Sequence, residues 1–167
     1  DESARREGID PLTGLADRSV ILDRLTRIIQ GDRLDDRRCA VLFIDVDYFK
    51  PYNDRHGHRA GDDCVAAVGK AVARSLPRPA DLAARYGGDE FVVLLPGADA
   101  AGARDVARRV VEAIRALDIP HGASPLGRVT ASVGVAPLVP GTNHTPAELL
   151  ERADRAQQRA QAARHGV

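Results

Sequence analysis

The chain has 167 residues, 44% of them hydrophobic, which is enough to close one substantial core and short for two independent domains. Its 24 Lys and Arg residues balance 24 Asp and Glu residues, which excludes a global attraction to nucleic acid or to an anionic membrane. Any phosphate binding must therefore come from local groups, and we expect a small-molecule partner and no nucleic acid. No stretch approaches the roughly 20 apolar residues of a membrane span.

The first elements are predicted from apolar periodicity. Residues 18–30 place apolar side chains at helical spacing behind Asp17, a suitable N-cap, and predict an amphipathic helix. Cys39–Val46 is a near-continuous apolar run, typical of a strand buried on both faces. Residues 59–76 repeat apolar side chains every three or four positions and predict a core-facing helix that ends near Pro77.

A hairpin and a further helix follow. Residues 81–86 and 89–95 predict two short strands joined by a tight turn at Gly87 and Gly88. Residues 101–117 again carry apolar side chains at helical spacing, so we expect a second core-facing helix there.

The last elements complete an alternating pattern. Residues 128–138 predict a strand, and a final helix begins at Thr145, with Pro146 at its first position and Glu148 completing a capping box. Beyond Leu150 this helix has only alanines to bury, which weakens its last turns. Strands alternating with helices around one hairpin indicate an α/β or α+β sheet with helices packed over it.

The two cysteines favour a reducing compartment. Cys39 and Cys64 lie in apolar stretches without metal-ligand spacing, so we expect buried thiols and a cytoplasmic location. Whether the parent protein is tethered to a membrane stays open. We expect residues 1–9 to be the end of an upstream linker or helix and residues 10–167 to form one domain.

Two carboxylates stand at the end of the first predicted strand. The two-residue period of a strand puts Asp45 and Asp47 on one side and Val46 on the other. Carboxylates at the exit of a buried strand are unfavourable unless they are neutralised, and Mg²⁺ is bound by one or two such groups together with substrate phosphates. The alternative for Asp47 is that it caps the helical pattern at residues 48–53.

The predicted turn carries a second acidic pair. Gly87 and Gly88 allow a positive φ and let a phosphate approach the backbone without a β-carbon in the way. A bare Gly-Gly hairpin is usually only a turn. The neighbouring Asp89 and Glu90 favour a functional role, because adjacent like charges at a tight turn repel each other unless one faces a cation.

These residues resemble the GGDEF family, whose five-letter motif stands at residues 87–91. Four further segments are similar to the family at compatible spacing, and the similarity spans about residues 10–154. They are residues 10–15 (DPLTGL), 49–54 (FKPYND), 57–62 (GHRAGD) and 130–136 (TASVGVA).

The resemblance implies a fold and an activity. The fold is α+β, with a central, mostly antiparallel sheet and flanking helices in a palm or ferredoxin-like nucleotidyl cyclase architecture, plus the hairpin bearing the motif. The activity is that of a diguanylate cyclase, in which a homodimer condenses two GTP molecules into cyclic di-GMP and two pyrophosphates. Such domains follow an upstream sensory domain in the full-length protein.

The resemblance also implies the metal and catalytic residues. Asp45 and Asp89 would ligate Mg²⁺ or Mn²⁺, two ions per active site, with the carbonyl of Val46 completing the site and Glu90 supporting it. Asp89 would accept the proton of the attacking 3′-hydroxyl. Lys50 would meet the triphosphate as a point charge.

Substrate recognition is implied at further positions. Asn53 and Asp62 would read the guanine edge, His58 would lie beside the nucleotide, and Gly87 and Gly88 would admit it. Two structural alternatives remain open. His58 can be an exposed loop residue, and Asp62 can cap the helix that follows.

An RxxD pair precedes the hairpin at the spacing of the family's inhibitory product site. Arg78 would clamp phosphate or a guanine edge, and Asp81 would accept hydrogen bonds from guanine. The pattern is weak alone in an arginine-rich chain, and its position favours feedback by cyclic di-GMP.

The last helix departs from the family pattern. Gln161 stands where a phosphate-binding lysine is expected, and Gln157 and Gln158 replace a core-packing Leu-Tyr pair. Losing one charge-assisted phosphate contact costs about 1.5–3 kcal/mol unless Arg159 or Arg164 substitutes. The alternative function is therefore a catalytically weakened domain that senses GTP or cyclic di-GMP. A purine nucleotide cyclase or a cyclase of relaxed specificity is a third possibility.

Overall fold

The structure, a computed structural model, describes residues 7–31, 38–139, 143–164 and 166–167. Its elements follow the predicted order closely, and the first strand has the predicted bounds. They are α1 (Arg18–Ile29), β1 (Cys39–Val46), α2 (Phe49–His56), α3 (His58–Arg74), β2 (Leu82–Arg85), β3 (Glu90–Pro96), α4 (Ala100–Ala116), β4 (Ala131–Pro137) and α5 (Pro146–Ala163).

The strands form one sheet in the order β2-β3-β1-β4, and every neighbouring pair is antiparallel. The expected α+β fold with a mostly antiparallel central sheet is therefore confirmed. In this register Asp45 lies opposite Glu90 on β3 and opposite Ser132 on β4. The sheet thus brings the predicted acids of β1 and of the hairpin to the same end.

Helices cover both faces of the sheet, which explains the continuous apolar run of β1. Leu42 and Ile44 belong to the core beneath α3 and α4, whereas Val41 and Phe43 belong to the core beneath α1 and α5. Successive residues of a strand point to opposite faces, so Asp45 lies on the α1 and α5 side.

Helix α5 packs directly on the backbone of β4. A β-carbon on Gly134 would collide with the carbonyl of Ala153 and the backbone nitrogen of Gln157, so only glycine allows this approach. The predicted capping box of Thr145 and Glu148 is present. The expectation that only alanines are buried beyond Leu150 is wrong at Gln157, which is 1% exposed and whose Nε2 has no hydrogen-bond partner among the described residues.

The two cysteines are free and buried, as predicted. Burial raises the pKa of both the Cys39 and the Cys64 thiol to about 11, so neither is a reactive thiolate at neutral pH. Among the described residues, no helix has the length and apolar character needed to span a membrane.

Candidate active site

Four of the predicted metal-site residues meet where β1 and the hairpin come together. Asp45 and Glu90 are cross-strand partners on the same face of the sheet. The N–H of Val46 donates to the carbonyl of Asp89 at 3.2 Å, which fixes the end of the hairpin beside the end of β1. The side chain of Asp89 lies within hydrogen-bonding reach of Asp45.

The electrostatics of this cluster favour a bound cation. Burial, followed by the contact with Asp89 and the charges of Glu90 and Asp47, raises the pKa of Asp45 to about 8. Atom Oδ1 of Asp45 is buried and, within the described ranges, has no hydrogen-bond partner. Burial and the charges of Asp89 and Asp154 also raise the pKa of Glu90, against the opposing charge of Arg18.

A hard divalent cation fits this donor set, although the protein groups alone do not complete its coordination. In the part of the chain that the structure describes, no three carboxylate, imidazole or thiol groups converge as a full metal site. Mg²⁺ commonly uses one or two carboxylates and fills its remaining positions with water and substrate phosphates. Asp45 and Asp89 provide such a pair.

The turn of the hairpin is held by backbone hydrogen bonds and by Arg85. The N–H groups of Tyr86 and Gly87 donate to the carbonyl of Glu90, and the guanidinium of Arg85 donates to the carbonyls of Gly87 and Gly88. The expected reason for the glycines is partly wrong, because neither has a positive φ. A β-carbon on Gly87 would meet the Glu90 carboxyl and require that side chain to move, whereas Gly88 faces open space.

Arg85 also links the turn to the beginning of the domain. Its Nη1 pairs with Oδ1 of Asp10 at 3.3 Å, and both side chains are largely buried. Burial alone would raise the pKa of Asp10, but hydrogen bonds from Thr13 and the charge of Arg85 lower it overall. Sequence reasoning gave Arg85 no role, although its place two residues before Gly87, the first residue of the motif, was a usable signal.

Asp47 has a different role from either sequence-based alternative. The residue at the N-cap of α2 is Tyr48, and no side chain among the described residues caps α2, so the expected capping by Asp47 is wrong. Asp47 accepts hydrogen bonds from Thr130 Oγ1 at 2.8 Å, Ser132 Oγ at 2.7 Å and Gln161 Nε2 at 3.0 Å. It therefore ties the β1–α2 connection to β4 and α5.

The predicted guanine-binding residues lie on α2 and α3. Asn53 packs against Gly61, where any β-carbon would collide with its side-chain oxygen. That oxygen is buried and, as far as the described residues go, has no hydrogen-bond partner, as expected of a group that accepts from a ligand. His58 and Asp62 are exposed within α3, which begins at His58, so the alternative that Asp62 caps this helix is wrong.

Lys50 lies in the first turn of α2, directly after the β1–α2 connection. Its side chain is exposed, and among the described residues no partner contacts its ammonium group. A lysine in this position can reach a phosphate group at the acidic end of the sheet without first breaking an ion pair.

Arg78 and Asp81 lie apart from the acidic cluster, on the loop before β2. They are bonded to each other at 3.1 Å, and the Asp81 side chain is fully buried while that of Arg78 is 46% exposed. Asp81 also accepts from the backbone N–H of Arg78 at 3.0 Å. Arg78 borders a cavity of about 330 Å³ that Arg109 of α4 also lines, so Arg78 is the accessible member of the pair.

Residues 7–166 match a family model that is described as the GGDEF domain of diguanylate cyclases. The chain belongs to the GGDEF family. The similarity extends over nearly the whole chain and bears out the resemblance seen in its motifs.

Curated relatives of this GGDEF domain include three larger bacterial proteins. It is 42% identical to the bifunctional diguanylate cyclase/cyclic di-GMP phosphodiesterase MucR of Pseudomonas aeruginosa, over 88% of the chain and 21% of MucR. It is 35% identical to the diguanylate cyclase DgcP of the same organism, over 97% of the chain and 24% of DgcP. It is also 35% identical to the response regulator PleD of Caulobacter vibrioides, over 92% of the chain and 34% of PleD. The chain thus spans between a fifth and about a third of these relatives.

Solved structures of GGDEF domains superpose on the chain. The GGDEF domain of DgcB from Caulobacter crescentus in complex with c-di-GMP matches with a TM-score of 0.84 at 28% identity, over 97% of this chain and 94% of that one. The diguanylate cyclase SiaD of Pseudomonas aeruginosa, in complex with its activator SiaC, matches with a TM-score of 0.83 at 36% identity, over 94% of this chain and 59% of that one.

Proposed function

We propose that this GGDEF domain is a diguanylate cyclase that condenses two GTP molecules into cyclic di-GMP and two pyrophosphates. The observation that carries the proposal is the acidic end of the sheet, where Asp45, Asp89 and Glu90 meet and the buried Oδ1 of Asp45 has no hydrogen-bond partner among the described residues. The homologues named diguanylate cyclases support it. A site of this kind binds a cation and the phosphates that accompany it.

The site residues divide into a base end and a phosphate end. Asn53 offers its buried oxygen to the guanine N–H groups, with Asp62 and His58 on the neighbouring helix. Lys50 meets the phosphates, and Gly88, which faces open space, leaves the turn open to the nucleotide. Phosphoryl transfer depends largely on such positioning and on electrostatic stabilisation.

Each 3′-oxygen attacks the α-phosphorus of the other GTP, a new O–P bond forms, and the bond from that phosphorus to the β-phosphate oxygen breaks to release pyrophosphate. The carboxylate of Asp89 accepts the 3′-hydroxyl proton. Two Mg²⁺ or Mn²⁺ ions, held by Asp45, Asp89, the Val46 carbonyl and Glu90, would supply charge neutralisation at the phosphates when bound. Arg85 keeps the turn that carries Asp89 in place.

Catalysis requires a homodimer, because each domain holds one GTP and the two must face each other. The initial rate per domain is therefore expected to rise steeply with protein concentration. A rate per domain that stays constant on dilution would contradict the arrangement.

Product inhibition at the Arg78 loop is a further part of the proposal. The half-exposed Arg78 and Arg109 across the cavity can bind the phosphates of cyclic di-GMP. Asp81 is buried and bonded to Arg78, so it holds the loop rather than standing open to solvent. Arg78→Ala should raise the concentration of cyclic di-GMP that halves activity by about tenfold, and Arg108→Ala on the exposed surface should not.

We propose that this domain, over residues 10–167, works in the cytoplasm and follows an upstream sensory domain in the parent protein. Relatives that are roughly three to four times as long as this chain support the larger context.

The decisive experiment incubates the purified domain with GTP and Mg²⁺ and identifies products by mass spectrometry. Cyclic di-GMP should form with the wild type and with Asp23→Asn, which removes an exposed acid on α1, and should be lost with Asp45→Asn. No product at high protein concentration, together with tight cyclic di-GMP binding, would favour the sensor module that Gln161 suggests. A 3′,5′-cyclic mononucleotide or a mixed product would indicate a different cyclase.

A further inference from the structure

We propose that His121 is a positioning residue that holds the nucleotide-binding helix α2 in place through the backbone of Tyr48. His121 lies in the α4–β4 loop and belongs to none of the motifs that carry the family resemblance. The inference deepens the proposed function, since it assumes that α2 presents Lys50 and Asn53 to GTP.

Helix α2 begins without the usual N-terminal stabilisation. Its N-cap, Tyr48, has φ 53° and ψ 36°, the left-handed region, and makes no side-chain capping hydrogen bond within the described ranges. For a residue other than glycine or asparagine this conformation costs about 1–2 kcal/mol. A conformation of this kind persists only where surrounding contacts fix it.

His121 supplies such a contact. Its Nε2 lies 2.9 Å from the carbonyl oxygen of Tyr48, which also accepts the N–H of Tyr52 at 3.1 Å as the first hydrogen bond of the helix. Since a carbonyl can only accept, Nε2 is the protonated nitrogen and donates. The imidazole is 1% exposed and stands edge-on to the Tyr52 ring, 5.1 Å between ring centroids.

The loop around His121 is itself fixed, so it can act as a support. The N–H of His121 donates to the carbonyl of Gly127 at 3.0 Å, and its own carbonyl accepts from Ser124 at 3.2 Å. The guanidinium of Arg55, on the last turn of α2, lies against Gly122 where a β-carbon would stand. The loop therefore contacts α2 near its beginning and near its end.

The same loop leads directly into the residues that hold Asp47. Thr130, which follows the loop, donates to the Asp47 carboxylate and accepts the Asp47 N–H at 2.9 Å. The β1–α2 connection thus consists of two residues, Asp47 and Tyr48, which are both bonded to the segment 121–132. Through them the loop sets the direction in which α2 leaves the acidic end of the sheet.

The test compares His121→Leu with His121→Gln. Leucine keeps the apolar volume and removes the donor, whereas the glutamine amide can place an N–H near the position of Nε2. His121→Leu should raise the KM for GTP about tenfold and leave kcat within about threefold, because displacing α2 removes binding common to ground and transition states. His121→Gln should stay within about threefold of wild type in both constants.

A second readout does not depend on turnover. Amide hydrogen exchange of Phe49–His56 should become faster in His121→Leu, while exchange in α4 and α5 stays unchanged. The control is Ile21→Val in the core on the opposite face of the sheet, which lowers overall stability but should alter neither α2 exchange nor KM.

Each result of these experiments bears either on the role of His121 or on the proposed function. Unchanged α2 exchange in His121→Leu, or faster α2 exchange with unchanged KM, overturns the role of His121. A loss in kcat alone, or failure of His121→Gln to restore KM, does the same. A wild type that neither binds GTP nor makes product overturns the proposed function and with it any nucleotide role of His121, while faster α2 exchange would still show that His121 supports the helix.

Discussion

The carboxyl of Asp45 lies within hydrogen-bonding reach of the carboxyl of Asp89, and no group in the described part of the chain donates a hydrogen bond to the buried Oδ1 of Asp45. Two acids in this arrangement share a proton when no cation is bound. The pKa of Asp45 is about 8 in the folded domain against 3.8 for the free group, so the folded state binds the proton more tightly than the unfolded chain.

The first prediction concerns pH and metal. Because the pKa of Asp45 is raised in the folded state, protonated Asp45 stabilises the metal-free domain. This contribution is fully present below about pH 4 and is lost as the pH rises towards about 8. Thermal melting without metal should therefore show falling stability across this window in wild type and a weaker slope in Asp45→Asn. Mg²⁺ should raise the melting temperature of wild type most at the alkaline end, and at neutral pH its binding should release about one proton. An unchanged slope in Asp45→Asn would show that another group titrates.

The second prediction concerns Arg85, which joins Asp10 to the carbonyls of the glycine turn. Arg85→Ala removes the ion-pair partner of the largely buried Asp10, which keeps its hydrogen bonds from Thr13, and should lower the free energy of unfolding by about 2–4 kcal/mol in denaturant titrations. The loss of stability in Arg85→Lys should be smaller than in Arg85→Ala, because an ammonium group keeps the charge but lacks the planar fork of the guanidinium. The control Arg108→Ala removes an exposed ion pair with Asp105 and should change stability by less than about 1 kcal/mol. Equal losses in both alanine variants would refute a special role for Arg85.

The third prediction concerns the buried amide of Gln157. Replacing it with leucine removes from the core an Nε2 that has no hydrogen-bond partner among the described residues. The change should stabilise the domain by about 1–2 kcal/mol, or about 2–8 °C in melting temperature. Gln158→Leu, one position along on the exposed side of α5, should change stability by less than about 0.5 kcal/mol. A destabilised Gln157→Leu would mean that the amide has a partner that stabilises it.

The fourth prediction concerns Gln161, which reaches the β1–α2 connection through Asp47. Gln161→Lys places a cation beside the residues that lead to Lys50 and should lower the KM for GTP about tenfold with little change in kcat. The gain should shrink at high salt. Gln158→Lys adds the same charge on the exposed side of the helix, and an equal effect there would assign the change to overall charge.

The elements of the fold that depend on local sequence patterns could be predicted from the sequence. The bounds of β1 follow from an apolar run that both faces of the sheet require, and the start of α5 follows from its capping box at Thr145. The acids of the site could also be predicted from the sequence, because Asp45 lies at the end of a buried strand and Asp89 follows a glycine turn.

The contacts that hold the site could not be predicted in the same way. Asp47 accepts from Thr130 and Gln161, which are 83 and 114 residues further along the chain, so its role depends on how β4 and α5 pack. His121 gave no local signal, since a polar side chain in a loop is ordinarily exposed. Gln157 stands where the family has a core-packing residue, but its own polar side chain gave no reason to expect burial. Periodicity locates elements, and only their assembly shows which polar groups become buried.

At Gly87 and Gly134 the space of a β-carbon is already taken, in one case by the carboxyl of Glu90 and in the other by the backbone of α5. Neither glycine can touch a substrate through a side chain, yet adding one methyl group would displace an acid at the first and lift a helix at the second. Both positions should therefore resist even alanine during the divergence of this lineage. These two glycines should therefore vary as little among related sequences as the acids of the site. Low sequence variation alone would not show whether a residue takes part in the chemistry or only leaves space for its neighbours.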